Sequence, residues 1–353
     1  MPARTGSDTH LAITLSSTFD TIQAPGTGHK VAVDGITHGK GLTELSENPI
    51  GSGNSMQSDT ATGDYNPTVS LTKTARTLDQ GNALLSAFYG VETVATGTSG
   101  AYNHSMTHNA NSITAYVNLG FTPDSANAIQ YKNGVVTKIE TVLNPNDFVK
   151  TSYELLFTDQ NITGDAGIVF TAANLAASTE VSGRKNLIAR PSHYVRMNAQ
   201  AGSALVNGDA LNIVNCVITE TKGRELVGEI RGAAGYSAPR VTGDIPYQVE
   251  VALTFKNLAD LTYYTAVNAG TEYKLDAIIQ GDLIGGSTYN EYQINIPRLV
   301  IVTDPDFNPA NAGDNELTIR LRSLVAASVP SGMFSVYPHR RIANTRSTVY
   351  WNN

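Results

Sequence analysis

The chain has 353 residues, with 24 lysines and arginines against 31 acids, a net charge of −7 and one cysteine. The length allows two domains with cores of their own, the acidic balance excludes a basic grip on nucleic acid, and a single thiol excludes an intrachain disulfide. Charged residues make up only 16%, below the usual quarter. The charge is also uneven, because residues 1–176 carry 8 basic and 15 acidic residues while residues 177–353 carry 16 of each. The opening MPARTGSDTH lacks the apolar core of a secretory signal, and no run approaches the roughly 18 apolar residues of a membrane span. Synthesis in a cytosol is therefore expected.

LAITLS at 11–16 reads as a first strand. Residues 20–66 are rich in Gly, Thr, Ser and Asn, interrupted by the alternating KVAVDGI. Such a segment buries little by itself and is too long for a plain loop, which predicts a long hairpin or arm that orders against a neighbour. From Thr68 to Gly90 the chain reads TVSLTKTARTLDQGNALLSAFYG. This predicts a strand, a helix capped near Asp79 with Leu84, Leu85 and Phe88 as its apolar stripe, and a stop at Gly90. His104 and His108 follow, four apart, as two metal ligands on a helix would be. Their context, SGAYNHSMTHNANS, is turn-rich and supplies no HExxH glutamate, so they read as exposed loop histidines and not as metal ligands. Alternating strands are predicted at 112–121, 135–143 and 148–157.

Residues 166–190 read as a linker between a first domain at 1–165 and a second at 191–353. The second opens with strands at 193–198 and 211–220. Cys216, inside LNIVNCVIT, reads as a small buried hydrophobe. Residues 222–243 form another extended loop. From Tyr247 to Gly270, YQVEVALTFKNLADLTYYTAVNAG repeats the earlier pattern. Val249, Val251, Leu253 and Phe255 alternate, Asn257 and Asp260 resemble a capping box, Leu258, Leu261 and Val267 can face a core, and Gly270 stops the helix. Two strand–helix–glycine blocks of low identity, each leading into further strands, predict a duplicated, mainly β chain with one short helix per half. Strands are expected at 273–280, 289–303 and 316–324, the last with Arg320 and Arg322 on one face. DPDFNPANAGDNE begins like a calcium loop but places Pro309 at the required glycine and Asn315 at the required glutamate, so it reads as a hairpin loop. The tail contains His339, Arg340, Arg341 and Arg346, read as a subunit contact or solvated face, and ends in a strand-like STVYW. Neither a phosphate loop nor a GxSxG elbow occurs, and nothing singles out a pair of carboxylates. No catalytic residue and no cofactor is expected.

Three segments carry a family resemblance: TKTARTLDQGNALLSAFYGVETV; YKNGVVTKIETVLNPNDFVKTSYELLFTDQN; and RVTGDIPYQVEVALTFKNLADLTYYTAVNAGTEYKLDAIIQG with YQINIPRLVIV and NELTIRLRSLVA. In this arrangement the chain resembles the tail tube (major tail) proteins of long, flexible-tailed phages, over roughly residues 65–325. The resemblance rests on the order of elements and on no signature residue. It implies two tandem β-sandwich or barrel domains, with subunits closing into rings and rings stacking into a tube that conducts genome DNA. It further implies a virion location, tape-measure and tail terminator partners, and a homotrimeric ring of pseudo-sixfold symmetry, with a hexamer as the alternative. Under it, strand faces with Glu140, Glu154 and Glu250 are expected to line a mildly acidic lumen that does not hold phosphate. The composition equally suits a tail-tip or capsid decoration protein. An extracellular glycan-binding or glycan-active module is the weaker alternative, given one tryptophan and no acid pair.

Overall fold

The computed structural model describes residues 9–39, 42–47, 59–108, 113–181, 186–187, 194–226, 238–241, 247–256, 262–303, 306–309 and 315–350. It is mainly β, with three short α-helices and one 3-10 turn among the described residues. In the first half run β1 (Leu11–Ser16), β2 (Gly35–Gly39), β3 (Leu42–Glu47), β4 (Asp59–Tyr65), β5 (Thr68–Thr74), α1 (Asn82–Tyr89), β6 (Gly90–Thr96), β7 (Tyr102–His108), β8 (Tyr116–Phe121), β9 (Ile129–Leu143), β10 (Lys150–Leu156), β11 (Asp159–Ile162) and α2 (Ala172–Ala177). The second half holds β12 (Tyr194–Ala199), β13 (Ile213–Lys222), β14 (Arg224–Glu225), β15 (Arg240–Val241), β16 (Tyr247–Lys256), α3 (Thr262–Ala269), β17 (Glu272–Gly285), β18 (Thr288–Ile301), β19 (Asp306–Pro309), β20 (Asn315–Ser323) and β21 (His339–Asn344).

The duplication is a duplication of topology. In the first half the antiparallel pairs are β1·β8, β8·β9, β9·β10, β10·β5 and β5·β2. In the second they recur as β12·β17, β17·β18, β18·β20, β20·β16 and β16·β13. A helix follows the strand equivalent to β5 in both cases. Even a bulge recurs. Val117 pairs Gly134 and Leu119 pairs Tyr131, leaving two residues of β9 against one of β8. Tyr273 pairs Leu299 and Leu275 pairs Ile296, which does the same to β18 and β17. Such bulges re-aim a strand, and just past each one the strand takes up its next partner, β10 in one half and β20 in the other.

Within the expected arms, the described residues form paired strands. β3 pairs β4 directly beyond β2·β5, and β14 pairs β15 directly beyond β13·β16. The first half alone carries the hairpin β6·β7. Its outer strand pairs β21, which reaches back from the end of the chain and also pairs β18. A second ladder, β9·β13, joins the halves directly, and one apolar cluster runs from Leu11 to Tyr350 through both.

Local causes are visible in α1. Gly90 ends it with φ 89, a left-handed conformation that glycine adopts without strain. Asp79, expected as the N-cap, does not cap the helix. The cap position is Gly81, without a side-chain bond. Asp79 Oδ1 instead accepts from the Gly81 N–H, 2.7 Å away, while its other oxygen meets the buried Lys73 Nζ at 3.0 Å. A Cβ on residue 81 would lie 2.1 Å from that nitrogen, so a larger residue there requires the Lys73 side chain to shift. The expected cap at Asn257–Asp260, with Leu258 and Leu261, lies outside the described residues. Gly270 ends α3 as expected, with φ 60. The segment read as a linker contains α2, capped by the Thr171 hydroxyl, which accepts from Asn174 N–H; its Leu175 joins a small cluster with Ala12, Ala128 and Phe170. The terminal strand expected at STVYW is not formed over 347–350, and the last strand among the described residues is β21. Among the described residues no helix is long and apolar enough to cross a membrane.

Candidate functional site

The pairings β2·β5·β10·β9·β13·β16·β20·β19 draw strands of both halves into one wall. Strict alternation gives the wall two faces. Val69, Leu71, Tyr153, Leu155, Ile139, Ile218, Val251, Leu253, Ile319 and Leu321 are buried on one. The other is open, and neighbouring strands place Ser70 beside Glu154, Ser152 beside Glu140, Glu140 beside Thr219, Thr219 beside Glu250 and Glu250 beside Arg322. The three glutamates singled out by sequence therefore fall on one face, although they come from three strands and from both halves.

That face is not an acidic field. Lys138 Nζ sits 2.9 Å from Glu154 Oε1, which raises the lysine's pKa, and Arg322 lies 3.2 Å from Glu250. Lys150, Lys256 and Arg320 share the face with Glu316. Such exposed pairs contribute little to folding; their effect is to interleave the two signs along the wall.

The closed side is polar where the halves meet. Arg340 of β21 is wholly buried. Its Nη2 lies 2.7 Å from Glu220 Oε1 on β13 and 3.0 Å from Thr141 on β9, and its Nη1 donates to the Tyr292 hydroxyl. Burial disfavours the charge, but Glu220, with the tyrosine oxygens of Tyr292 and Tyr89, more than offsets this and the guanidinium pKa is raised. Nearby, Lys222 donates to the Phe88 carbonyl and lies 4.9 Å from the Phe88 ring centroid. Burial, with Arg224 adding repulsion, lowers its pKa to about 7.

These contacts correct the reading of the basic tail. Arg340 and His339 are buried and Arg341 pairs Glu291 at 2.8 Å, so the group is not a solvated face. The histidines are corrected too. His104 and His108 lie on a strand, not in a loop. His104 is fully buried, its Nδ1 2.8 Å from Glu92, and His108 is half-buried and stacked on Tyr247 at 4.1 Å. Burial, then the charges of Lys222 and Arg224, lower the His108 pKa to about 3. The context SGAYNHSMTHNANS conceals a strand whose partners are β6, just before it in a hairpin, and the distant β21. Cys216 is fully buried on β13, as expected, and burial pushes its thiol up to about 12. Among the described residues no group of three His, Cys, Asp or Glu side chains is placed to hold a metal ion.

What sequence reasoning missed is the pair of ends of the wall. β2 has a ladder partner on one edge only, β5, and β19 on one edge only, β20, among the described residues. GITHG and DFNP carry no strand signal, so only the pairing pattern reveals them.

No protein-family model matches this chain, and no curated protein matches it. Among solved structures the chain aligns with the di-domain ARO/CYC StfQ from the steffimycin biosynthetic pathway at 11% identity and a TM-score of 0.08, covering 72% of this chain and 85% of that one. An overlap that low carries no argument about fold or function.

Proposed function

We propose that the chain is a structural ring subunit of a phage tail tube, in which three copies close into a ring of pseudo-sixfold symmetry and rings stack into a conduit for genome DNA. One observation carries this reading. The second half repeats the topology of the first and is joined to it strand to strand, so that a single open-faced wall crosses both. A unit that already joins like to like within one chain is suited to continue the join between chains, and a heterologous join closes into a ring when its rotation fits. Closing the ring also removes the sheet edges that otherwise invite uncontrolled pairing.

In this reading the open face, with Glu140, Glu154 and Glu250, lines the lumen. Interleaved signs suit passage as an acidic lining would: without a continuous basic track, little counterion release rewards DNA for staying. The strand pairs β3·β4 and β14·β15 reach toward the next ring. The tape-measure and tail terminator proteins are the further partners this reading requires.

Negative-stain electron microscopy of the purified protein, dilute and after slow concentration, tests it. Hollow tubes with a regular axial repeat and three large lobes in end-on views are the expected result. Compact single particles at every concentration, with purified tails of the same phage added as nuclei, would overturn it.

A further inference from the structure

The join between the two halves shows how the chain would join its next copy. Within the chain, β13 of the second half lies antiparallel on β9 of the first, with Val217 opposite Val142 and Thr219 opposite Glu140. In the repeat, β2 stands where β13 stands, since each pairs the strand that precedes the helix. The continuation of β18 into β19 stands where the second part of β9 stands, since each pairs the strand equivalent to β10 beyond the bulge. Both free edges are therefore copies of edges that are already mated once in this chain.

The repeat also fixes the register. At the bulge, Gly134 corresponds to Leu299, and Leu299 pairs Ser323. In the first half Val135 pairs Leu156, so the residue facing Gly134 in sequence is Phe157, and Phe157 corresponds to Ser323. Stepping five residues back gives Ser152 for Thr318. The row Gly35–Thr72–Ser152–Glu140 then corresponds to the row Asn215–Thr254–Thr318–Asp306. Thr37 takes the place of Val217, Gly39 that of Thr219, Asn308 that of Val142, and Asp306 that of Glu140.

We infer that β2 of one copy pairs antiparallel with β19 of a second copy of this chain, with Thr37 opposite Asn308 and Gly39 opposite Asp306. This deepens the ring-subunit reading and rests on it for the identity of the partner. Both edges are short, and β2 is exposed at Gly35, Thr37 and His38. A short edge bonds weakly alone and gains from exact alignment, which favours one partner over indiscriminate aggregation. The two seams of a ring would not be equal. The one inside the chain is backed by the buried Arg340–Glu220 pair and by β21·β7, whereas the one between chains has its ladder without that backing in the chain as described.

Cysteine cross-linking tests the pairing. Directly opposed residues bring their Cβ atoms within roughly 5 Å, close to the span of a disulfide. Seven ladder steps separate β2 from β19 along the sheet of one chain, and in the mixture of single variants each chain carries only one of the two cysteines, so a bond between them joins two copies. The native Cys216 is buried and does not interfere. Thr37→Cys and Asn308→Cys proteins, mixed in equal amounts and oxidised, are expected to give a disulfide dimer that neither forms alone. The Thr37→Cys/Asn308→Cys double variant should give covalent species ending at one ring size. Thr37→Cys with Asp306→Cys, slipped by two residues, should cross-link several-fold more slowly. Rings in the microscope without the Thr37–Asn308 bond overturn this seam and leave the ring reading standing. The bond in open chains or dimers that never close supports the seam and overturns the ring. Neither bond nor ring at any concentration overturns both.

Discussion

At the residue scale, Arg340 and Glu220 illustrate what can be read from a sequence and what cannot. The string HRR looks like a surface patch. Its middle residue is instead wholly buried against a carboxylate 120 positions away, and no local pattern announces a partner that distant. Arg340→Ala leaves a buried, uncompensated Glu220, and we expect a loss of about 3–5 kcal/mol in denaturant unfolding. Replacing both residues with apolar ones of similar volume should recover much of that loss. His339 and His108 set a pH dependence. Burial, with Arg341 adding repulsion, lowers the His339 pKa to about 4, and His108 lies near 3. Both are below the unfolded value of about 6.5. Between those values the unfolded chain binds more protons, so their stabilising contribution is complete above about pH 6.5 and is lost as the pH falls toward 4. The melting temperature should fall across that window, and His339→Gln should flatten the slope.

At the element scale, what alternation could show, it showed. TVSLTKT and YQVEVALTFK each alternate because one face meets the core and the other is open, and both form strands where expected. Gly90 and Gly270 end helices because their positive φ suits glycine. Alternation fails where a strand changes company. β9 is one continuous strand, but it pairs β8 up to Gly134 and β10 from Val135 onward. Gly134 has no room for a side chain, since a Cβ there would meet the Phe157 ring at 2.3 Å. Gly134→Ala should therefore cost about 1–3 kcal/mol by overpacking, and Phe157→Leu in the same protein should return part of it. Thermal or denaturant unfolding of the three proteins checks the coupling.

At the scale of the whole molecule, the duplication was legible in two short blocks, and the bulk of its support came from pairing. The hairpin β6·β7 interrupts the first copy, and the loops after β13 and β18 differ in length from their counterparts, so the two halves lose alignment in sequence while keeping their ladders. The three glutamates are singled out by the family resemblance, and the register across β10, β9, β13 and β16 is what sets them on one face. Alternation sets Lys138 on the face of Glu140 and keeps Arg320 with Arg322, but that the two arginines share the glutamates' face follows only from the cross-strand register. A wall of mixed sign predicts a solution behaviour: retention on immobilised double-stranded DNA should be negligible at about 0.1 M salt and above. Reversing Glu140, Glu154 and Glu250 to lysine together should create salt-sensitive retention, read from the elution salt of the folded variant.

The strand β21 has a consequence for the order of events in synthesis. It is the last strand among the described residues, and it fills the gap between β7 and β18 while supplying the counter-ion of Glu220. A nascent chain that has not yet released residue 344 from the ribosome carries an unmated β7 edge and a carboxylate without its cation. Contacts that span so much of the sequence form late and slowly. The wall itself is complete in sequence at Ser323, but the join between the halves lacks its buried ion pair until residues 339–344 emerge, so a nascent chain holds its internal seam no better backed than the seam proposed between chains.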